Sequence, residues 1–318
     1  MTSDELIADA AARSHTPQSW DVTVSESKFY WYDLLTDFPP IPDFRDPLGR
    51  YLRRMQFAVE ATMEKRLMYM LVSRPKLRFD TSKSTSWGFF GLKLSIPILV
   101  GADQKRDSIT IELNTPEDAT LKKPTVQVFE RFLTLNWGSL IETYSIHDLL
   151  QNFNTKHDYP SKVQYVGQTR DPAGRLIKGR ISGVNRACDN SGPDNDNFLL
   201  IQRMDFSTGA PIVAGEGSDE LHDLLLKDQM DLLECILIKY FEKDDEKMRS
   251  PREVQAREAR VANLYQAHML QRLQVDLGLE ASDAFQNLYS DRAKEASRHL
   301  FEVTFKGSEP VFRLPGKV

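Results

Sequence analysis

Two stretches of the chain carry residue types suited to phosphate and cation chemistry. The first is Val163-Gln164-Tyr165-Val166-Gly167-Gln168-Thr169, followed by Asp171-Pro172 and Arg175-Leu176; the second is Glu234 with Leu237-Ile238 and Tyr240-Phe241. An arginine offers a planar fork that grips phosphate bidentately, and a carboxylate suits a hard cation that keeps several waters. Glu234 stands among Leu232, Leu233 and Ile236, where an unpaired carboxylate is costly to bury, so it needs a partner or exposure. Between 161 and 186, Lys162, Arg170, Arg175, Lys178, Arg180 and Arg186 oppose only Asp171, a basic stretch able to touch a nucleic-acid backbone. Residues 187–234 hold eleven acidic side chains against Arg203 and Lys227, so the unit is bipolar and a duplex meets one side of it. Each residue also has a plainer reading. The Tyr-Val-Gly string could be a strand ending in a turn, Arg175 a solvated cation, and Glu234 half of a buried salt bridge.

Other chemistries find little footing. The histidines His15, His147, His157, His222, His268 and His299 show no close pair at metal-ligand spacing. Cys188 and Cys235 lie 47 positions apart, which gives neither a disulfide framework nor a zinc half-site. No Gly-rich phosphate loop or Gly-x-Ser-x-Gly elbow occurs. A formal charge of −5 supplies no global attraction to nucleic acid, so such binding has to rest on a local patch. The longest apolar stretch, 89–101, is broken by Lys93 and Pro97 and is too short to span a bilayer. The N-terminus carries Asp4, Glu5 and Asp9 and has no basic-then-apolar leader, so the expectation is a cytoplasmic protein without a membrane segment.

The elements that must position these residues follow from periodicity and caps. Asp46-Pro47 starts a helix whose apolar residues, from Leu48 to Leu67, predict a span of about 47–72. β-type segments follow at 77–79, 89–100 and 108–113, with a turn at Gly101. Residues 124–151 lean helical. Strand, helix, strand and helix are expected from Lys162–Gln168, Asp171-Pro172, Phe198–Phe206 and Ser218–Glu242, a small α+β unit. Ser250-Pro251-Arg252-Glu253 has the form of a capping box and predicts a helix over 251–276, with another near 283–300 and strands at 301–305 and 311–313. Length favours more than one unit: an N-terminal α+β recognition or interaction region over 1–140, the α+β unit over 141–248, and a C-terminal helical extension with terminal strands over 249–318.

Taken in order, the Tyr-Val-Gly strand, the arginine of the next helix, and the glutamate before an aliphatic-aromatic run resemble the second half of the GIY-YIG nuclease signature, over about residues 140–245. The resemblance implies a small mixed α/β nuclease core that hydrolyses DNA with Mg or Mn. It makes Tyr165 the tyrosine of the Tyr-x-Gly half, lets Gly167 admit the DNA backbone, and gives Arg175 the scissile phosphate and Glu234 the metal. Lys162, Arg170, Lys178 and Arg180 would then line the backbone contact. No Gly-Ile-Tyr triplet precedes Tyr165 at hairpin distance; the nearest candidate first strand is Glu142-Thr143-Tyr144-Ser145-Ile146, which makes Tyr144 the expected second tyrosine, although it could equally only pack. Restriction, phage defence, repair and mobile-element roles all suit such an enzyme. Two other readings stand beside it: a binding or assembly module that kept the scaffold and lost catalysis, and an interaction subunit that docks a protein partner through its N-terminal region or the helix over 251–276.

Overall fold

The computed structural model describes residues 17–36, 46–60, 66–153, 157, 159–170, 174, 182–208, 218–242, 249–278, 287–306 and 309–314. The architecture is α+β. Its elements run β1 (Gln18–Trp31), α1 (Tyr32–Thr36), α2 (Pro47–Glu60), β2 (Leu67–Pro75), β3 (Leu77–Phe79), β4 (Ser86–Trp87), β5 (Lys93–Val100) and β6 (Lys105–Glu112). Next come β7 (Thr125–Val128), β8 (Phe132–Asn136), β9 (Ile141–Ser145), α3 (Ile146–Asn152), β10 (Ser161–Thr169), α4 (Ser182–Ser191) and β11 (Asn195–Thr208). The last are α5 (Ser218–Phe241), α6 (Pro251–Ala267), β12 (Leu270–Asp276), β13 (Leu288–Tyr289), β14 (Leu300–Lys306) and β15 (Glu309–Arg313).

An eight-stranded sheet in the order β13-β10-β2-β11-β1-β12-β14-β15 forms the body. Its strands come from all three stretches 1–140, 141–248 and 249–318, so hydrogen-bonded neighbours lie on both sides of the boundaries expected at 140 and 248. A smaller sheet joins β3, β5, β4 and β6, and β7-β8-β9 form a three-stranded meander. Alternation along the strands builds two cores. On one face Met68, Met70 and Val72 of β2 share a cluster with Phe198 and Leu200 of β11 and with Leu233, Ile236 and Leu237 of α5. On the other, Leu67, Tyr69 and Leu71 pack with Leu199 and Ile201, with Val184 and Ala187 of α4, and with Val59 of α2.

Several expectations are corrected. Of the helix expected over 47–72, Pro47–Glu60 is observed, and Leu67–Pro75 is instead the strand β2. That strand is buried on both faces, so its apolar run is continuous, and a continuous run fits a helical spacing as readily as a strand. Residues 124–151, expected to lean helical, form the β7–β9 meander, with helix only over Ile146–Asn152. The helix expected over 251–276 stops at Ala267, and Leu270–Asp276 is β12. Met269, in the left-handed region at φ 44°, turns the chain out of α6 into the strand that pairs parallel with β1. Among the described residues of the stretch 283–300 there is no helix; β13 and the start of β14 occupy it. Among its described residues the C-terminal stretch is therefore one helix followed by strands. The expected helix start at Asp171-Pro172 lies outside the described residues, whereas the strands at 162–168 and 198–206, the helix over 218–242 and the capping box at Ser250 are observed.

One carboxylate links the three sheets. Asp196 on β11 accepts the Leu77 amide of β3 at 3.1 Å, the Arg78 guanidinium at 2.9 Å, and His147 Nε2 of α3, the helix that follows the meander, at 2.9 Å. Burial pushes its carboxyl up, but the bond from His147, the positive charge of Arg78 and the Leu77 amide outweigh that and hold it below the usual carboxylate range. Burial likewise lowers the His147 pKa and keeps the ring neutral. We predict that Asp196→Ala, which strands the guanidinium and the imidazole, costs about 3–5 kcal/mol in urea unfolding at pH 7. Because the folded pKa is depressed, that contribution is present above the unfolded carboxylate value and is lost as pH falls through the lowered one, so the two proteins converge in acid.

Candidate active site

The Tyr-Val-Gly strand lies toward one side of the large sheet. β10 pairs antiparallel with β2 along its length, with a bulge between Val163 and Tyr165, while on its other side β13 reaches only Ser161 and Lys162. Beyond that point the outer edge needs other partners, because an open row of N–H and C=O groups would accept a foreign strand. Glu242, just past α5, and Arg249, just before the Ser250 cap of α6, supply them. The Val166 amide donates to Glu242 Oε1 at 2.8 Å, and Arg249 Nη2 donates to the Val166 carbonyl at 2.8 Å. Carboxylate and guanidinium are themselves joined by two bonds, from Nε at 2.7 Å and from Nη2 at 2.8 Å. Burial opposes the Arg249 charge, but Glu242 more than offsets it and the guanidinium is held firmly protonated.

The same guanidinium lies 4.5 Å from the centre of the Tyr165 ring, a cation over an aromatic face. Tyr165 in turn stacks on Tyr69 of β2, with ring centroids 6.2 Å apart and planes 28° from parallel. Each tyrosine rests on a glycine. Tyr69 is the register partner of Gly167, where a Cβ would come within 2.5 Å of the Tyr69 hydroxyl. A Cβ on Gly183, in the first turn of α4, would come within 2.6 Å of the Tyr165 ring. Tyr69 thus occupies the space over Gly167. Burial raises the Tyr165 pKa, with Arg249 opposing, so the phenol is a neutral hydrogen-bond donor at physiological pH.

Gln168, also on β10, reaches α5. Its amide donates to Glu234 Oε2 at 2.9 Å and also to Asp231 Oδ1, one helical turn earlier. Asp231 Oδ2 lies 3.8 Å from Arg260 of α6. Burial pushes the Glu234 carboxyl above its ordinary value; the Gln168 bond and the charge of Arg249 oppose the rise, and neighbouring Asp231 adds to it. Two carboxylates, Asp231 and Glu234, thus converge on the one Gln168 amide nitrogen. Among the described residues no group of three or more His, Cys, Asp or Glu side chains gathers to cage an ion.

Of the residues expected from the sequence, Tyr165 packs in the second core and Glu234 stands on α5, which packs on the first, so the two lie on opposite faces of the sheet and share only the nearby charge of Arg249 at the strand edge. Tyr144 is not part of this group. It stands on β9, whose hydrogen-bonded neighbour is β8; its hydroxyl donates to Glu142 at 2.9 Å, and its ring meets Phe153 edge-on. The strand beside β10 is β2, so the expectation that 142–146 supplies the neighbouring strand is corrected. Lys162 forms an ion pair with Asp291 at 2.8 Å, and Arg170 is exposed just past β10. Arg175, Lys178 and Arg180 lie outside the described residues. Tyr69, Gly183, Glu242 and Arg249 are the members that sequence reading missed, and of these only the Ser250 cap gave a signal, by marking where the chain turns beside Arg249.

Comparison with protein-family models, with curated proteins and with solved structures finds no match. Among the described residues no helix is long and apolar enough to cross a membrane.

The raised Glu234 pKa has a measurable sign. A carboxyl whose folded pKa lies above its unfolded value disfavours the folded state as pH rises through that interval. Glu234→Gln, neutral at every pH, should therefore gain thermal stability relative to the wild type at pH 7 and lose that gain near pH 4. An equal melting difference at both values would contradict the assignment.

Proposed function

We propose that the chain is a divalent-metal-dependent endonuclease of the GIY-YIG type, hydrolysing DNA phosphodiester bonds. The observation that carries this reading is the stacked pair of tyrosines on adjacent antiparallel strands, Tyr69 on β2 and Tyr165 on β10, with Gly167 beneath Tyr69. The resemblance calls for paired tyrosine strands, and on this reading Tyr69 would take the first-half place in which the sequence had put Tyr144. Further support comes from Glu234, which follows on a later helix and is tied to the same strand through Gln168.

Within this reading Tyr165 and Tyr69 act as phenolic donors that orient an attacking water or a phosphate oxygen. Arg175, by resemblance, grips the scissile phosphate, and Arg170 is available for a backbone contact. Glu234, with Asp231 beside it, would hold the Mg or Mn ion, which when bound supplies a positive charge to the developing phosphorane and acidifies water. Gln168 orients both carboxylates. Arg249 acts as a positioning residue that fixes the Tyr165 ring.

A second reading draws on one observation. The Gln168 amide nitrogen is already taken by Glu234 and Asp231 within the protein, and Arg249 is engaged by Glu242. A chain that kept the scaffold as a nucleic-acid-binding module would look the same.

Cleavage separates the two. Purified protein is expected to nick or cut plasmid DNA with Mg or Mn and not with EDTA, and Glu234→Gln is expected to lower the rate by about 100-fold or more at unchanged fold. DNA binding without cleavage by well-folded protein, across both metals and several DNA forms, would select the binding module. Full activity of Glu234→Gln would remove Glu234 from the site.

A further inference from the structure

The second tyrosine expected from the sequence, Tyr144, belongs to a different feature. It lines a half-open pocket of about 350 Å³ between β1, α2, β9, α3 and β11, a volume within the range of small-ligand sites. Aromatic side chains form its walls: Tyr30 and Trp31 from β1, Tyr51 from α2, Tyr144 from β9 and Phe198 from β11. These rings are held in place before any ligand arrives. Tyr51 packs edge-on against Phe132 at 5.3 Å, and Tyr144 is fixed by Phe153 and by its bond to Glu142. Behind them, His147 is wedged edge-on between Trp31 at 4.5 Å and Phe198 at 4.6 Å, and is anchored by Asp196.

The rim is polar and specific in type. Gln151 and Asn152, in the last turn of α3, bring two amides, each presenting a donor and an acceptor. Among the described residues neither side-chain amide has a hydrogen-bond partner. Arg54 of α2 is exposed at the mouth, with its guanidinium 5.8 Å from the Tyr51 ring centre. Aromatic faces suit a flat π-system, amides suit the donor-acceptor edge of a base, and an arginine at the mouth suits a phosphate.

We infer that this pocket binds a single nucleobase as part of a nucleotide, stacked against the tyrosine walls with its hydrogen-bonding edge toward Gln151 and Asn152 and its phosphate toward Arg54. The base is either that of a free nucleotide or one unstacked from a strand, and the recognition chemistry is the same in both. The inference shares the nucleic-acid substrate class of the proposed function but stands on different residues.

The test is titration of the full chain with deoxynucleoside 5′-monophosphates and with short single-stranded oligonucleotides, followed by intrinsic fluorescence, to which Trp31 in the pocket wall contributes. Saturable binding is expected, weakened about tenfold or more in both Tyr51→Leu and Gln151→Ala. Gln151 is at the rim, so its variant keeps the test open if Tyr51→Leu fails to fold. Equal affinity for monophosphates and oligonucleotides would identify a free nucleotide as ligand, and binding of oligonucleotides alone would identify a strand base. Absence of saturable binding to either, or binding unaffected by Gln151→Ala and by a folded Tyr51→Leu, would overturn the inference. Base binding without DNA cleavage would leave the pocket standing and remove the nuclease; cleavage without base binding would do the reverse.

Discussion

The ion pair of Glu242 and Arg249 on the outer edge of β10 is the constraint on which the candidate site depends. An unpaired N–H and C=O at Val166 would leave the strand open to slippage or to a foreign strand, and the pair satisfies both groups at once. Because the two residues flank the connection from α5 to α6, closing the edge also fixes where α5 leaves the sheet and where α6 begins. Arg249 then has one face on Tyr165, and α5 carries Glu234 to Gln168 of the same strand. Each bond is strong because it is charge-assisted and partly buried, and each would be costly if left half made.

A second buried carboxylate does for the whole fold what Glu242 does for the edge. Asp196 joins β11 of the large sheet to β3 of the second sheet and to the helix after the meander. Its partner His147 sits at the back of the aromatic pocket, so the junction between the sheets also sets the shape of that pocket. Tyr69 and Tyr165 lie in the second core, whereas α5 with Glu234 and most rings of the pocket, among them Trp31, Tyr51, Tyr144 and Phe198, pack on the first. Structural polarity and candidate function are concentrated in the same few buried groups.

How far the sequence reveals this arrangement depends on the kind of signal. Caps and turns are local, so the starts of α2 and α6 and the turn at Gly101 were legible. The strands with Tyr165 and Phe198 were legible too, bounded by turn residues. β2 was not, because a strand buried on both faces has no alternation to display, and Tyr69 was hidden within it. Sequence proximity points to Tyr144 as partner, whereas pairing in the sheet joins Tyr69 to Gly167, about a hundred positions apart. Arg249 and Glu242 were invisible for a related reason: nothing in their local sequence shows that they meet the backbone of Val166, a contact made only in the folded chain. Gln168 was in view as a residue but not in its role, since its amide acquires meaning only opposite Asp231 and Glu234.

On the proposed reading Tyr69, and not Tyr144, is the partner of Tyr165 in phosphodiester hydrolysis. Single-turnover cleavage by Tyr69→Phe and Tyr144→Phe, each changing one hydroxyl and keeping its ring, tests it most directly. Tyr69→Phe is expected to lose about 100-fold or more of the rate at unchanged melting temperature, and Tyr144→Phe to cleave close to the wild-type rate. A wild-type rate for Tyr69→Phe, or a large loss confined to Tyr144→Phe, would contradict it.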